Sequence, residues 1–404
     1  MTPLARPESS IGSGGEVGWA TEPLSSRFQV LYGKANPGRS GSVPVVGSSG
    51  IYGWTDLPMV DQPTIVVGRK GNAGKTWLLE GPCYPSDTTF YLLPLKPGDV
   101  DMRFVHYAIR FFGPGASDDV IPSLQRHELE SLVLPFPGLH EQRAIAGVLA
   151  KIQRAVEVED KRIGALKELK AATMAKVCRE GLRGEPLKHT EIGEIPESWE
   201  VLPLGRICEV ASGGTPARDH PEFWGGSIPW VKTGEIDYHE ITSTAERITE
   251  LGLANSAAKV FPRGTLLMAM YGQGVTRGKV AFLGIAATTN QACAAFFPDK
   301  TTLVPGFLYA YCTFAYNRIR ELGHGANQKN LSGEILKSMR LPVPRDLAEQ
   351  QRVYDLLAAI ERRIEVANRR STDLQSLFSS ALNQLMIGQL RVTPLLEGEE
   401  TANA

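Results

Sequence analysis

The chain has 404 residues, of which 42% are hydrophobic and 22% are charged. This length predicts two or three domains, and the composition excludes a disordered polymer, a collagen and a disulfide scaffold. Lys and Arg number 43 against 44 Asp and Glu, a formal net charge of −1. The net charge therefore gives no support for nucleic-acid binding, although a local basic face is compatible with it.

Cysteine usage and hydropathy favour a cytoplasmic protein. The cysteines are scattered without a C-x-x-C pair, as is typical of reduced thiols. No apolar run reaches the ~18 residues of a membrane helix, and the N-terminus has no apolar core of an export signal. The histidines have no metal-ligand spacing. We expect no membrane association, metal, cofactor or catalytic residue. The cysteines are Cys83, Cys178, Cys208, Cys293 and Cys312.

The sequence repeats itself at an offset of 208 residues. Glu141–Arg183 aligns without a gap with Glu349–Arg391. The alignment has about 13 identities in about 43 positions, where chance gives roughly two or three. Weaker matches continue upstream, as between Trp19 and Trp199. The repeat predicts the order domain, helix, domain, helix.

Both repeated segments predict long amphipathic helices. Apolar residues recur at steps of three and four over about five heptads, which favours a coiled coil. The two helices can pair with each other in antiparallel orientation. Asp346 is a candidate cap for the second helix, with Glu349 completing a capping box, and Gly138 takes the equivalent place in the first. The predicted pairing residues are Ile145, Leu149, Ile152, Val156, Ile163, Leu166 and Val177, and Val353, Leu357, Ile360, Ile364, Ala367, Leu374, Phe378, Ala381 and Leu385. Polar residues interrupt this pattern at Glu159, Lys170, Thr173 and Ser371.

The globular segments predict mixed α/β domains with short strands between Gly-rich turns. The segment Gly68–Thr76 resembles a phosphate-binding P-loop, which would indicate a nucleotide hydrolase. It has five residues where a P-loop has four, and Trp77–Leu79 is typical of a strand where a P-loop has a helix. We therefore favour a Gly-rich hairpin with a polar tip.

Polar loops at matched places of the two globular segments contain candidate DNA contacts. Lys and Arg can donate to phosphates, and Arg and Asn can read guanine and adenine edges. The same residue types are common in ordinary turns, and this alternative stays open for each of them. The candidates in the first segment are Ser48, Ser49, Tyr52, Arg69, Lys70, Asn72, Lys75, Asp87, Thr88, Gln125 and Arg126. Those in the second are Thr215, Lys232, Thr233, Tyr271, Gln273, Arg277, Asn290, Gln291, Gln328, Lys329 and Asn330.

As a set, these features resemble the specificity subunits of type I restriction-modification systems. The resemblance covers about residues 16–392. It is carried by the Leu-Pro-x-Pro…Glu-Gln motifs that precede both helices, at Pro137–Gln142 and Pro344–Gln350. The Asn327–Leu331 loop and the Gly71–Lys75 turn also look like that family.

The resemblance implies an α+β fold with two target recognition domains. Each domain would read one half of an interrupted sequence in double-stranded DNA. Two long helices would separate the domains, pair as an antiparallel coiled coil and relate the halves by a pseudo-two-fold axis. The chain would have no catalysis of its own. It would dock two methyltransferase (modification) subunits, and a motor-nuclease (restriction) subunit would join for cleavage.

The expected domain boundaries follow the repeat. The ranges are a flexible tail at 1–15, the first recognition domain at 16–137, the first helix at 138–186, the second recognition domain at 187–345, the second helix at 346–392 and a C-terminal tail at 393–404. Two other functions stay open. One is a coiled-coil scaffold that does not touch DNA, and the other is the nucleotide hydrolase.

Overall fold

The structure of the chain is a computed structural model. It describes residues 18–38, 40–113, 123–272, 274–322 and 330–392. Several sequence-based predictions concern residues outside these ranges, namely Gln273, Gln328, Lys329 and the tails at 1–15 and 393–404. No helix in the described part of the chain is long and apolar enough to cross a membrane.

The chain divides into two compact units, which are not the two halves of the sequence. Unit 1 contains Met1–Lys161 and Asn368–Ala404, and unit 2 contains Arg162–Ala367. Both long helices therefore contribute to both units. Each unit has one globular segment, the first half of the helix that follows it and the second half of the other helix.

Unit 1 has a four-stranded antiparallel sheet, a three-stranded sheet and a strand pair. Their orders are β2-β8-β5-β6, β4-β3-β7 and β1-β9. The strands are β1 Ala20–Pro23, β2 Phe28–Tyr32, β3 Val43–Gly47, β4 Gly50–Thr55, β5 Thr64–Gly68, β6 Thr76–Leu79, β7 Tyr84–Pro85, β8 Thr89–Pro94 and β9 Val133–Phe136. The helices are α1 Met102–Phe112, α2 Arg126–Glu130 and α3 Leu139–Glu180.

The central strand β5 shows why this segment folds as it does. Its sequence is a continuous apolar run, and every residue in it is buried. Alternate side chains of a strand point to opposite faces. Ile65 and Val67 accordingly pack into the cluster that contains Phe104 of α1, whereas Val66 packs with Val46 on the other side.

The strand β6 confirms the hairpin and excludes the P-loop. It pairs antiparallel with β5, from Thr64 opposite Leu79 to Val67 opposite Thr76. A P-loop needs a helix directly after its Gly-Lys-Thr. A strand stands there instead, so the nucleotide-hydrolase hypothesis has no structural basis in this segment.

Unit 2 repeats this plan. Its sheets have the orders β13-β19-β16-β17 and β15-β14-β18, and strand pairs β12-β20 and β10-β11 flank them. The strands are β10 Leu187–Thr190, β11 Gly193–Pro196, β12 Trp199–Pro203, β13 Cys208–Ser212, β14 Trp224–Val231, β15 Glu246–Ile248, β16 Leu266–Ala269, β17 Val280–Phe282, β18 Thr288–Thr289, β19 Cys293–Pro298 and β20 Arg340–Pro344. The helices are α4 Leu204–Ile207, α5 Glu250–Ala254, α6 Pro305–Phe314, α7 Tyr316–Glu321, α8 Gly333–Ser338 and α9 Leu347–Met386. The internal repeat and the mixed α/β composition are confirmed.

Within each unit the two long helices pair in antiparallel orientation. In unit 1, Ile145 and Leu149 near the start of α3 share a buried cluster with Leu385 near the end of α9. In unit 2, Val177 near the end of α3 shares one with Val353 near the start of α9. The predicted paired helices are therefore confirmed.

The middle of the helices is more polar than the heptad pattern alone predicts. Ile152, Val156, Leu166, Ile364 and Leu374 are only half-buried. Two of the polar interruptions are buried instead: Ser371 donates a hydrogen bond to Asp160 at 2.7 Å, and Glu159 is near Arg370. A further interruption, Lys170, pairs with Glu361 at 2.6 Å in unit 2.

A glutamate whose side chain is only 11% exposed, Glu141, anchors the start of α3 in unit 1. The indole of Trp19 donates to Glu141 Oε2 at 3.0 Å, and Arg391 donates to Oε1 at 2.6 Å. The next residue, Gln142, accepts from the backbone of Asp101, the N-cap of α1, and donates to the Pro137 carbonyl. Glu141 and Gln142 thus connect the segment at Trp19, the start of α1 and the chain just after α9 to the start of α3.

The same arrangement anchors α9 in unit 2. Glu349 is 1% exposed; it accepts from the indole of Trp199 at 3.4 Å and pairs with Arg183 at 3.0 Å. Gln350 accepts from the backbone of Val304, the N-cap of α6. Asp346 caps the helix as expected, accepting from the Ala348 amide. The predicted capping-box role of Glu349 was wrong, because its carboxylate is directed to Trp199 and Arg183.

The buried carboxylate should matter more for stability than a surface one. Glu349→Gln removes the charge that Arg183 and Trp199 bind, and we expect the free energy of unfolding to fall by about 1–3 kcal/mol. Glu200→Gln is the control, since Glu200 pairs with Arg345 at the surface. Its loss should cost less than about 1 kcal/mol. Urea unfolding of both variants measures the difference, and equal losses would contradict the anchoring role.

Candidate nucleic-acid interface

Three polar loops of unit 1 converge at the tip of the β5–β6 hairpin. The Ser48 amide in the β3–β4 turn donates to Thr88 Oγ1 at 3.2 Å. Asn72 in the hairpin donates to the hydroxyl of Ser49 at 3.1 Å. Arg69 donates to the backbone carbonyl of Asp87 at 3.0 Å. Six loop residues that were predicted separately are thus joined in three contacting pairs.

A fourth segment joins this surface. The Leu124 amide donates to the Arg69 carbonyl at 2.8 Å, and Lys70 forms a β-bridge with Ser123. Gln125 therefore lies beside the hairpin, with an exposed side chain. We call the surface formed by these four segments the unit 1 tip. It consists of Ser48, Ser49, Arg69, Lys70, Asn72, Asp87, Thr88 and Gln125.

Close packing fixes the shape of the unit 1 tip. A Cβ atom on Gly68 would lie 2.2 Å from the Asn72 carbonyl oxygen, which leaves no room for a side chain. The guanidinium of Arg69 lies 5.2 Å from the ring centroid of Tyr32 and 5.9 Å from that of Phe90. A guanidinium held over aromatic rings has little freedom to rotate, so Arg69 is presented in a defined orientation.

The remaining candidates of unit 1 differ in how they are presented. Lys75 is exposed in the hairpin. The exposed Tyr52 packs against Gly47, where an added Cβ would meet its ring at 2.9 Å. Arg126 pairs with Glu130 one turn later in α2, at 2.7 Å. Its charge is therefore already balanced within that helix.

Unit 2 brings together the corresponding loops. The hydroxyl of Thr215 donates to the side-chain oxygen of Gln291. The backbone amide of Asn290 donates to the Val231 carbonyl at 3.0 Å. This bond places the turn at Asn290 and Gln291 next to Lys232 and Thr233. We call Thr215, Lys232, Thr233, Asn290 and Gln291 the unit 2 tip.

Two further candidates border the unit 2 tip. The amide of Met270 donates to the Ala292 carbonyl at 2.8 Å, and Leu331 donates to the Met270 carbonyl at 3.0 Å. These bonds bring Tyr271 and Asn330 alongside the Asn290 turn, and both side chains are exposed.

Other candidates of unit 2 are not presented as predicted. Arg277 is 6% exposed, so it lies in the interior rather than on a reading surface. The ammonium of Lys232 is bound by Glu246 at 2.5 Å. The side-chain oxygen of Asn290 accepts from the Ala292 amide within its own turn. For Asn290, the ordinary-turn alternative describes the observed bond.

Sequence reasoning missed an arginine at the unit 2 tip. The guanidinium of Arg218 lies 3.7 Å from the ring centroid of Trp224 and 5.0 Å from that of Trp230. The signal available in the sequence was the pair of tryptophans close to a Gly-Gly-Thr-Pro turn. The internal repeat did not point to Arg218, because the equivalent residues 33–36 of the first copy lack the Gly-Gly-Thr-Pro sequence.

The tips offer hydrogen-bond donors and acceptors but no evident catalytic group. In the part of the chain that the structure describes, no three His, Cys, Asp or Glu side chains are placed to hold a metal ion. Burial raises the pKa of the Cys83 thiol to about 11, and that of Cys178 to about 12. Both thiols are therefore protonated at neutral pH, which makes them poor nucleophiles.

Comparisons with known proteins point to one family. A family model described as "Type I restriction modification DNA specificity domain" matches residues 196–376. The MjaIX specificity subunit of Methanocaldococcus jannaschii is 28% identical over 197 residues, 47% of this chain and 44% of that protein. This chain therefore matches less than half the length of that relative.

Other similarities cover more of the chain. The MjaVIII specificity subunit of the same organism is 24% identical over 338 residues, 80% of this chain and 78% of that protein. The crystal structure of the type I restriction-modification S subunit from M. genitalium has the same fold, with a TM-score of 0.63 at 16% identity. That match covers 92% of this chain and 97% of the solved one. The matched motifs, the duplicated fold and these relatives agree, and the chain is similar to the specificity subunits of type I restriction-modification systems.

Proposed function

We propose that the chain is the sequence-specific DNA-binding subunit of a type I restriction-modification complex and performs no catalysis itself. One observation carries the proposal: each unit gathers its polar loops into one tip, built from the same elements of a repeated fold. Each tip would read one half of an interrupted target in double-stranded DNA. The ranges 16–137 and 187–345 would be the two recognition domains.

The residue types of the tips suit both kinds of DNA contact. Arginine, asparagine and glutamine recognise base edges in the major groove, whereas lysines and hydroxyls bind phosphates and position the protein. In unit 1, Arg69 and Asn72 are the candidate base readers, and Lys70 and Lys75 are the candidate phosphate contacts. The net charge of −1 is compatible with a partner subunit that supplies further phosphate contacts.

The two long helices would set the unspecified gap between the half-sites. Each is a continuous helix, of 42 residues for α3 and 40 for α9. At ~1.5 Å per residue, each spans about 60 Å. A rigid helix pair would give a gap of fixed length.

The helices also carry matched apolar residues at the surface. Val158 and Leu169 of α3 are exposed, and so are Val366 and Leu377, which occupy the equivalent positions of α9. Eleven residues make about three helical turns, so the members of each pair lie on the same helix face. Single exposed apolar residues are common on protein surfaces, but their recurrence at equivalent positions of both helices supports a shared interface. We propose that these two equivalent faces dock two methyltransferase subunits, with the restriction subunit joining for cleavage.

Arg69→Lys tests direct base reading by unit 1. Lysine keeps the positive charge but loses the planar fork that contacts a base with two hydrogen bonds. DNA from cells that express the chain with its methyltransferase partner should show an interrupted methylation motif. In the variant, one position in one half of that motif should become less specific, and the other half should be unchanged. The loss of such a contact corresponds to about 1–3 kcal/mol of discrimination.

The methylation motifs found for the variants distinguish the alternative functions. Lys75→Gln is the control for a phosphate contact, and it should weaken methylation at all sites without changing the motif. If Arg69→Lys relaxed both halves equally, direct reading by Arg69 would be wrong. If the wild-type chain bound its partner but gave no motif, the scaffold hypothesis would replace the present one.

Leu377→Asp tests the docking faces. Leu377 is 52% exposed, so the charge should not unfold the chain, but it should reduce co-purification with the methyltransferase subunits. Leu357 is 4% exposed, and Leu357→Asp should instead lower the free energy of unfolding by at least about 2–5 kcal/mol. Ser376→Asp, one residue away on another face of α9, is the control for added charge. Undiminished co-purification of Leu377→Asp would contradict this docking site.

A further inference from the structure

Arg218 is held in an unusually well-defined position at the unit 2 tip. Its guanidinium stacks 3.7 Å from the ring centroid of Trp224, and Trp230 lies edge-on to Trp224 with ring centroids 5.0 Å apart. The side chain is still 53% exposed. A stacked guanidinium keeps its hydrogen-bonding edge at right angles to the stacking direction, where a ligand can reach it.

The backbone below Arg218 is fixed by the same two tryptophans. The indole of Trp224 donates to the Ala217 carbonyl at 3.1 Å, and the indole of Trp230 donates to the Gly214 carbonyl at 3.0 Å. The turn is also tightly packed, because a Cβ on Gly213 would lie 2.1 Å from the Thr289 carbonyl oxygen. The loop cannot shift without breaking these contacts.

Glu246 fixes the guanidinium from the side. Its Oε2 atom lies 2.7 Å from Nη1 of Arg218, and its Oε1 atom lies 2.5 Å from the ammonium of Lys232. One carboxylate thus offsets part of the charge of two cations. This lowers their attraction for phosphate, an interaction that depends on charge rather than geometry.

The position of Arg218 is suited to reading DNA. The loop that leads to Arg218 also contains Thr215, which donates to Gln291. The ammonium of Lys232 pairs with Glu246, and the preceding residue, Val231, accepts a hydrogen bond from the backbone amide of Asn290. Arg218 therefore belongs to the unit 2 tip, although it was not among the sequence-predicted contacts.

We propose that Arg218 is a specificity-determining residue that reads a guanine in the half-site bound by unit 2. This inference rests on the proposed DNA-binding function. The guanidinium presents parallel N–H groups that match the O6 and N7 acceptors of guanine in the major groove. Because Trp224 and Glu246 already restrict the side chain, binding costs less conformational entropy than it does for a free arginine. Arg69, stacked over Tyr32 and bonded to the Asp87 carbonyl, is the comparable residue of unit 1.

The test is a selection of DNA duplexes by the full chain in complex with its methyltransferase subunits. The probe is a library of duplexes with randomised positions, and sequencing of the bound fraction gives the base preference at each position. Wild type should select two separate blocks of specified bases. Arg218→Lys should lose the preference for guanine at one position of one block by roughly 5- to 150-fold, the range for a bidentate base contact. The other block should not change.

Three variants make the result specific. Arg218→Ala should abolish the base preference at the same position, and thermal unfolding shows whether this variant stays folded. Arg247→Lys is the matched control, because Arg247 is the next residue after Glu246 in β15, is exposed and donates to the Ser227 carbonyl. Its base preferences should equal those of wild type. Arg69→Lys should act on the other block.

Each other outcome has a distinct meaning. If Arg218→Lys kept the full preference at every position while Arg218→Ala weakened all duplexes alike, Arg218 would be a phosphate contact and the inference would be wrong. It would also be wrong if both variants selected the wild-type sequence with wild-type affinity. If wild type itself selected no sequence, the proposed function would fail, and the inference would fail with it.

Discussion

Each long helix begins with a glutamate that is largely or fully buried and a buried glutamine, and together they connect three segments of the chain. Burial of a carboxylate is costly unless the charge is paired and hydrogen-bonded, and here an indole and a guanidinium supply both. Glu141 binds Trp19 and Arg391, and Glu349 binds Trp199 and Arg183. The adjacent glutamines bind the N-caps of α1 and α6. The orientation of each globular segment on its helix depends on this dipeptide.

Under the proposed function, this arrangement would let the recognised sequence vary while the helices that assemble the complex stay the same. The anchoring residues lie in the repeated segments, where the two copies share 13 of 43 aligned positions, against a chance expectation of roughly three. The tips lie in loops, which can change without disturbing the sheets that support them. The tip of unit 1 uses a hairpin arginine stacked on Tyr32, and that of unit 2 uses a turn arginine stacked on Trp224. Under the proposed function, the same fold would present a different arginine to each half-site.

The sequence predicted most of the architecture because the repeat and the helical periodicity are strong signals. The hairpin at Gly68–Thr76 could also be predicted, since Trp77–Leu79 has strand character. Long-range pairing was not predictable: the capping-box motif at Asp346 and Glu349 is local, whereas Trp199 lies 150 residues away from Glu349. Burial of Arg277 and stacking of Arg218 also depend on tertiary contacts that no local pattern encodes.

The central claim is that two separate surfaces read two separate half-sites across a gap that the helices set. The most direct measurement exchanges residues 18–136 for the corresponding segment of another specificity subunit and maps the methylation motif of the chimera. The account predicts that one half of the motif changes, while the other half and the length of the gap stay the same. A change in both halves, or in the gap, would contradict it.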